Sequence, residues 1–176
     1  MCAVVIVNAD SRVLQTLNAN RLGRDFVVGD IHGEYASLMR LLEVVSFDVK
    51  CDRLIGLGDL IDRGPDSVSV LKFFGQMPWF TSVRGNHEQM FLDSRLGLSM
   101  AVNRWSRNGN EWIKKVGVKT SDALAEVAGQ MPLMIDLTMP DDRQVGIVHA
   151  ELPRKMKWTE LVNKYLICGE SSSTEL

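Results

Sequence analysis

The chain has 176 residues, a formal net charge of −2, and 45% hydrophobic against 24% charged residues, the balance of one folded domain, which excludes a disordered chain. The small net charge excludes a nucleic-acid binder held mainly by phosphate contacts, and no apolar run approaches the ~20 residues that cross a bilayer. The cysteines Cys2, Cys51 and Cys168 form no C-x-x-C pair and exclude a disulfide framework or a cysteine-rich zinc module, so the expectation is a soluble, cytoplasmic protein with neither nucleic acid nor membrane as partner.

The opening apolar run, Met1 to Val7, has no basic residue before it and Asn8 and Asp10 after it. It reads as a strand or an extension rather than a signal peptide. Asp25 to Gly29 is a short strand ending on glycine. Glu34 to Val45 follows as a helix, with Leu38, Leu41, Leu42 and Val45 spaced i, i+3, i+4, i+7 on one face. Arg53 to Leu57 is the second strand. The segment from Asp62 to Pro65 then leads into a helix carrying Val70, Leu71 and Phe74, with Pro65 at its entry and Gly75 at its exit. Phe80 to Arg84 is the third strand, and Glu88 to Leu96 the third helix. This alternation predicts βαβ units around a parallel sheet, where ligands bind at the strand ends. Past Gly97 the pattern weakens. Asn108-Gly109 marks a turn between two tryptophan-bearing segments. Ser121 suits the cap of a helix carrying Leu124 and Val127. Leu133–Leu137 and Gln144–Val148 read as a strand pair joined around Pro140 to Asp142, with His149 directly after it.

The three predicted βα loops share one chemistry. They read Gly29-Asp30-Ile31-His32-Gly33, Gly58-Asp59-Leu60-Ile61-Asp62-Arg63-Gly64 and Arg84-Gly85-Asn86-His87-Glu88, and a fourth strand end supplies His149-Ala150-Glu151. All three histidines of the chain lie at these strand ends. Taken singly, a Gly-Asp pair is an ordinary turn, Asn-His after glycine is a helix cap, and a histidine at a strand end is structural. Three successive loops of matching composition point instead to a shared site. Asp30 and His32, two apart just past a strand, can turn toward one ion, and flanking glycines permit the kink. Asp59 can bridge two ions, while Asn86 adds a neutral oxygen and His149 a nitrogen. Oxygen and nitrogen ligands without thiolate suit Mn, Fe or Zn in a catalytic site, and two ions clamp the oxygens of an in-line phosphoryl displacement. Arg63 and Arg84 suit phosphate oxygens. His87 is a candidate general acid, with Asp62 to hold its imidazole protonated and oriented.

These loops match the G-D-x-H-G, G-D-x-x-D-R-G and G-N-H-E signatures, and the chain resembles the PPP phosphatases of the metallophosphoesterase superfamily. The likeness is to the bacterial and bacteriophage branch of serine/threonine (and tyrosine) protein phosphatases. Asn86-His87-Glu88-Gln89-Met90 and the spacing from Met131-Pro132-Leu133 to Ile147-Val148-His149-Ala150 also resemble that branch, and the similarity runs from about 26 to 153. The resemblance implies a single α/β metallophosphoesterase domain over 1–176, a calcineurin-like β-sandwich flanked by helices, with 170–176 a polar tail. It implies a dinuclear centre with Asp30, His32 and Asp59 on one ion and Asp59, Asn86 and His149 on the other. Arg63 and Arg84 are implied for phosphate, and His87 with Asp62 for proton donation. The cofactors implied are two divalent ions, Mn first with Fe or Zn as alternatives. The reaction implied is hydrolysis of phosphoserine, phosphothreonine or phosphotyrosine in a protein or peptide by a hydroxide that the two ions activate.

The sequence also departs from that pattern. The family carries a further histidine, in a G-H motif, well after the one matching His149, and a later substrate-contacting arginine. Here His149 is the last histidine and Arg154 the last arginine, and Glu151 stands where the branch has aspartate. The expectations that follow are an incomplete second sheet, self-association through its open edge and a weakened second metal site. Two rival functions share the loops. A symmetrical dinucleoside-tetraphosphate hydrolase calls for a basic, aromatic nucleotide pocket, which the low basic content and 2 tyrosines disfavour. The other rival is a non-catalytic remnant that binds metal and phosphate.

Overall fold

The structure, a computed structural model, describes residues 13–167 apart from 98 and 153. The strand expected at Met1–Val7 and the tail at 170–176 lie outside the described residues. In chain order the elements are β1 (Leu14–Leu17), β2 (Asp25–Val28), α1 (Tyr35–Val44), β3 (Arg53–Gly56), α2 (Ser67–Gln76), β4 (Phe80–Ser82), α3 (Asn86–Arg95) and α4 (Ser99–Ser106). A 3-10 helix (Glu111–Lys115), α5 (Val118–Gly129), β5 (Met134–Thr138), β6 (Gln144–Val148) and α6 (Trp158–Ile167) follow.

β2, β3 and β4 form a parallel sheet in that order, as the βαβ pattern predicts. The second sheet runs β1-β5-β6, with β1 parallel and β6 antiparallel to β5. Successive residues of a strand point to opposite faces, and β3 shows the consequence. Leu54 faces the helices with Phe80, Leu71 and Phe91. Ile55 faces the other sheet and packs in a smaller core of Val83, Ile135, Leu137 and Ile147. The middle strand is therefore apolar on both faces, and the two sheets close on each other as a sandwich with helices outside. Among the described residues β6 is an edge strand. Trp158 of α6 lies against Gly146 and donates its indole N–H to Asp136, so α6 covers part of the outer face of β5 and β6. No helix among the described residues is long and apolar enough to cross a membrane.

Several local readings shift. On α1 only Leu38 and Leu42 are buried, and Leu41 is 45% exposed, because α1 meets the sheet along a narrower stripe. Gly75 lies at the end of α2, one residue before its last, as expected, and also serves close helix approach, for a Cβ there would meet Val127 of α5 at 3.0 Å. Asp66 caps α2 by accepting the Ser69 N–H at 2.9 Å. Ser121 lies within α5, which starts after Gly117, and it accepts from Arg95. β1 is a strand that the sequence pattern does not announce. Its Gln15 and Thr16 interrupt the apolar run, and pairing with β5 together with a 2.9 Å bond from the Thr81 hydroxyl to Gln15 holds it in place.

Phe91 of α3 is fully buried, with its ring 5.2 Å from Trp105 and 5.7 Å from Trp112. Phe91→Ala is expected to cost ~3–5 kcal/mol, measured by urea unfolding. A loss under ~1 kcal/mol would mean that this aromatic cluster does not close the helical core.

Candidate functional site

The loops after β2, β3 and β4 converge on one point, and His149 reaches it from the end of β6. Among the described residues seven non-glycine residues have positive φ, and four of them are His32 (47°), Asp59 (51°), Asp62 (71°) and Arg63 (66°). Such conformations cost about 1–3 kcal/mol each and persist only where the surroundings enforce them.

Glu88 enforces the one at Asp59, while Ser67 Oγ accepts the Asp62 N–H and the Gly109 carbonyl the Arg63 N–H. The Glu88 carboxylate is fully buried, and it accepts the N–H groups of Asp59 (2.9 Å), Leu60 (2.8 Å), Ile61 (3.2 Å) and Gly85 (2.9 Å). The Asp59 carbonyl accepts the N–H groups of Ile31 and His32, and the Leu60 carbonyl that of Gly33, so the first loop hangs on the second. Gly85 must be glycine, since a Cβ there would overlap Asp59. Burial and the Asp59 charge push the Glu88 carboxyl up to about 7, against the pull of the N–H donors. The sequence reading missed this role. The signal was present, for a glutamate three residues after a helix cap is the one that reaches back to the cap N–H.

The candidate ligands come together. Asp59 Oδ2 lies 3.9 Å from His32 Nε2 and 3.4 Å from His149 Nε2, and Asp30 Oδ2 lies 3.7 Å from His32 Nε2. Asn86 Oδ1 is 3.0 Å from His149 Nε2. His32 Nδ1 faces the Ile61 carbonyl at 2.9 Å and His149 Nδ1 the Leu57 carbonyl at 2.6 Å. A carbonyl only accepts, so each Nδ1 carries hydrogen and each Nε2 is turned inward, the arrangement that prepares a histidine as a metal ligand. Two sets of atoms, one from Asp30, Asp59 and His149 and one from His32, Asp59 and His87, each lie within 4.8 Å of one another. Oxygen and imidazole donors around a shared carboxylate fit a pair of divalent ions. Glu151 lines a cavity of about 420 Å³ beside His149 and Asn86.

His87 is buried. Its Nδ1 bonds Asp62 Oδ2 at 2.7 Å, and its Nε2, 3.8 Å from Asp59 Oδ2, has no hydrogen-bond partner among the described residues. Asp62, also fully buried, accepts the indole N–H of Trp105 at 2.7 Å and of Trp112 at 2.6 Å; the sequence pattern gave no sign of these contacts. Arg63 is exposed and donates to His32 Nε2 at 2.7 Å. Arg84 donates to the Gly129 and Met131 carbonyls and to Gln89, which anchors it on the cavity wall.

The His149 imidazole is pushed up to about 9, first by its hydrogen bond to Asp59, against burial, with the Leu57 carbonyl adding to the rise. Burial pushes Asp59 up, but the His149 bond and the His87 N–H together outweigh it and hold the carboxyl below its ordinary value.

Comparison with known proteins agrees with this geometry. The calcineurin-like phosphoesterase family profile matches residues 26–169. Serine/threonine-protein phosphatase 2 of Escherichia coli (strain K12) is 37% identical over 166 residues, 92% of this chain and 70% of that protein. Serine/threonine-protein phosphatase 1 of Salmonella typhimurium (strain LT2) is 34% identical over 159 residues, 88% of this chain and 72% of that protein. A crystal structure provisionally described as a diadenosine tetraphosphatase superposes with a TM-score of 0.61 at 29% identity; it covers 82% of this chain, which spans 58% of that one.

Two outcomes follow from the site. Glu88→Gln turns an amide NH₂ toward N–H donors and leaves them unmet, which should cost about 2–4 kcal/mol in urea unfolding; an unchanged midpoint would show that the four bonds do not hold the loops. In the metal-free protein the His149–Asp59 pair stabilises fully below pH ~6.5, and that contribution is lost as pH rises through about 9. An ion must displace the proton, so Mn²⁺ binding at pH 7 should release about one proton and tighten toward pH 9. Calorimetry in buffers of different ionisation enthalpy counts that proton, and a count of zero contradicts the pair.

Proposed function

The chain belongs to the calcineurin-like phosphoesterase family, and from that membership we propose that it is a protein phosphatase acting on phosphoserine and phosphothreonine, and on phosphotyrosine, with two divalent ions, Mn²⁺ first. The observation that carries the reading is the arrangement about Asp59 Oδ2, where His32, His87 and His149 all present Nε2 within 3.9 Å. Asp30, His32 and Asp59 would hold one ion, and Asp59, Asn86 and His149 the other. When bound, the two ions supply Lewis-acid charge to the phosphoryl group.

The chain's own residues do the rest. Arg63 leaves His32 Nε2 to an ion and turns to the phosphate oxygens, and Arg84, fixed by the Gly129 and Met131 carbonyls, brings a positioned charge to the same group. Water adds to phosphorus as the bond to the leaving oxygen breaks, and the proton the water gives up passes to solvent, from which His87 is reprotonated after the product leaves. His87, its Nδ1–H held by Asp62, gives the Nε2 proton to that oxygen. A serine alkoxide is a poor leaving group, so this donation matters most for the protein substrate.

Hydrolysis of symmetrical dinucleoside tetraphosphates is the second reading, favoured by the likeness to the 0.61 TM-score neighbour. Against it, among the described residues Tyr165 is the one tyrosine, phenylalanine or tryptophan lining the cavity beside the site, a poor platform for two bases. Assay of a phosphoserine peptide and diadenosine tetraphosphate side by side with Mn²⁺ separates the two.

His87→Asn should keep ion binding and lose ~10²–10⁴-fold in turnover of the phosphoserine peptide, with a much smaller loss on p-nitrophenyl phosphate, whose leaving group needs no proton. Equal losses on both substrates would remove His87 from the role of acid.

A further inference from the structure

Asp62 is enclosed by donors. Its Oδ2 accepts both His87 Nδ1 and the Trp105 indole N–H, its Oδ1 accepts the Trp112 indole N–H, and its own N–H donates to Ser67 Oγ at 2.9 Å. We propose that Trp105 and Trp112 are positioning residues for the proton donor His87, acting through Asp62; this rests on the phosphatase reading above.

A buried core asks for the rings of two tryptophans but not for both of their N–H groups on one carboxylate. A buried indole N–H needs an acceptor, and any carbonyl would serve. Here one donor lands on each oxygen of the same side chain, and that side chain's other partner is His87. An indole has one donor and no acceptor, so neither ring can reverse its bond as a hydroxyl or a water can. Asp62 thereby loses its freedom to rotate, and the oxygen facing His87 keeps one direction. The imidazole in turn keeps Nε2 turned toward the site, where it lies buried and unpartnered among the described residues.

The rings are themselves braced. Trp105 and Trp112 lie 6.2 Å apart edge to face, and both pack on Phe91. The segment between them adds a second tie. The Gly109 carbonyl accepts the Arg63 N–H at 3.0 Å, and Gly109 (φ +88°) sits so close to Arg63 that a Cβ would lie 2.8 Å from its backbone nitrogen. One segment, 105–112, thus holds the proton donor through Asp62 and the backbone of a phosphate ligand through Gly109.

The test is Trp105→Phe and Trp112→Phe, alone and together, in the wild type and in His87→Asn. Phenylalanine keeps a ring against Phe91 while removing the donor and part of the indole volume, and the His87→Asn background separates the loss of the donor from the loss of packing. Each variant should lose roughly tenfold in kcat on a phosphoserine peptide at unchanged KM, with a smaller loss on p-nitrophenyl phosphate, and the pair should lose about a hundredfold. In the His87→Asn background the same changes should cost nothing further, because the group they position is gone. Equal losses on both substrates, or losses that persist in His87→Asn, would overturn the proposal and leave the rings a purely structural part. If His87→Asn itself shows no preference for the poor leaving group, the proton-donor reading fails first and takes this inference with it. Should a phenylalanine variant not fold, indole N–H exchange in the wild-type chain decides. Trp105 and Trp112 should exchange far more slowly than a free indole in water, and fast exchange at either would refute the clamp.

Discussion

The site depends on one buried carboxylate. Glu88 sits one turn into α3, beneath two loops, and accepts N–H groups from both. Without it four backbone donors would be buried without partners, each costing about 1–3 kcal/mol. With it, Asp59 is held in a left-handed conformation (φ 51°), and its side chain is delivered to the centre of the His32, His87 and His149 cluster. The cost of burying the charge shows in the raised pKa of Glu88. The gain is a loop whose strain the surrounding bonds enforce.

The site also depends on two sheets meeting. The parallel sheet alone brings Asp30, Asp59 and Asn86 to its carboxyl end, in keeping with the rule for ligands in such sheets. His149 comes from the other sheet, and the small aliphatic core of Ile55, Val83, Ile135, Leu137 and Ile147 sets how far away it stands. The bond from His149 Nδ1 to the Leu57 carbonyl ties the sheets at the point of chemistry. Packing between sheets and the geometry of the cluster are therefore one constraint, and a loosened inter-sheet core would be felt at the Asp59–His149 contact before it was felt in the helices.

The differences between pattern and structure share a cause. Ser121 looked like a cap, but it is an acceptor for Arg95. Leu41 looked buried by spacing and is exposed. β1 had no alternation to announce it and exists because β5 is there to pair with it. In each case local preference was a weak term, and a neighbour distant in sequence decided.

What the sequence determined by itself is the chemistry and its order along the chain. Strand-loop-helix spacing, glycines beside aspartate and histidine, and asparagine before histidine placed Asp30, His32, Asp59, Asn86, His87 and His149 at strand ends, because periodicity and turn chemistry are local properties that a single chain displays. Tertiary structure alone decided which atoms face one another. The four N–H groups gathered by Glu88, the two indoles on Asp62 and the Gly109 carbonyl on Arg63 all join residues far apart in the chain, apart from the Gly85 contact. Hydrogen-bond direction and burial depend on where the second partner lies, and only the folded packing specifies that.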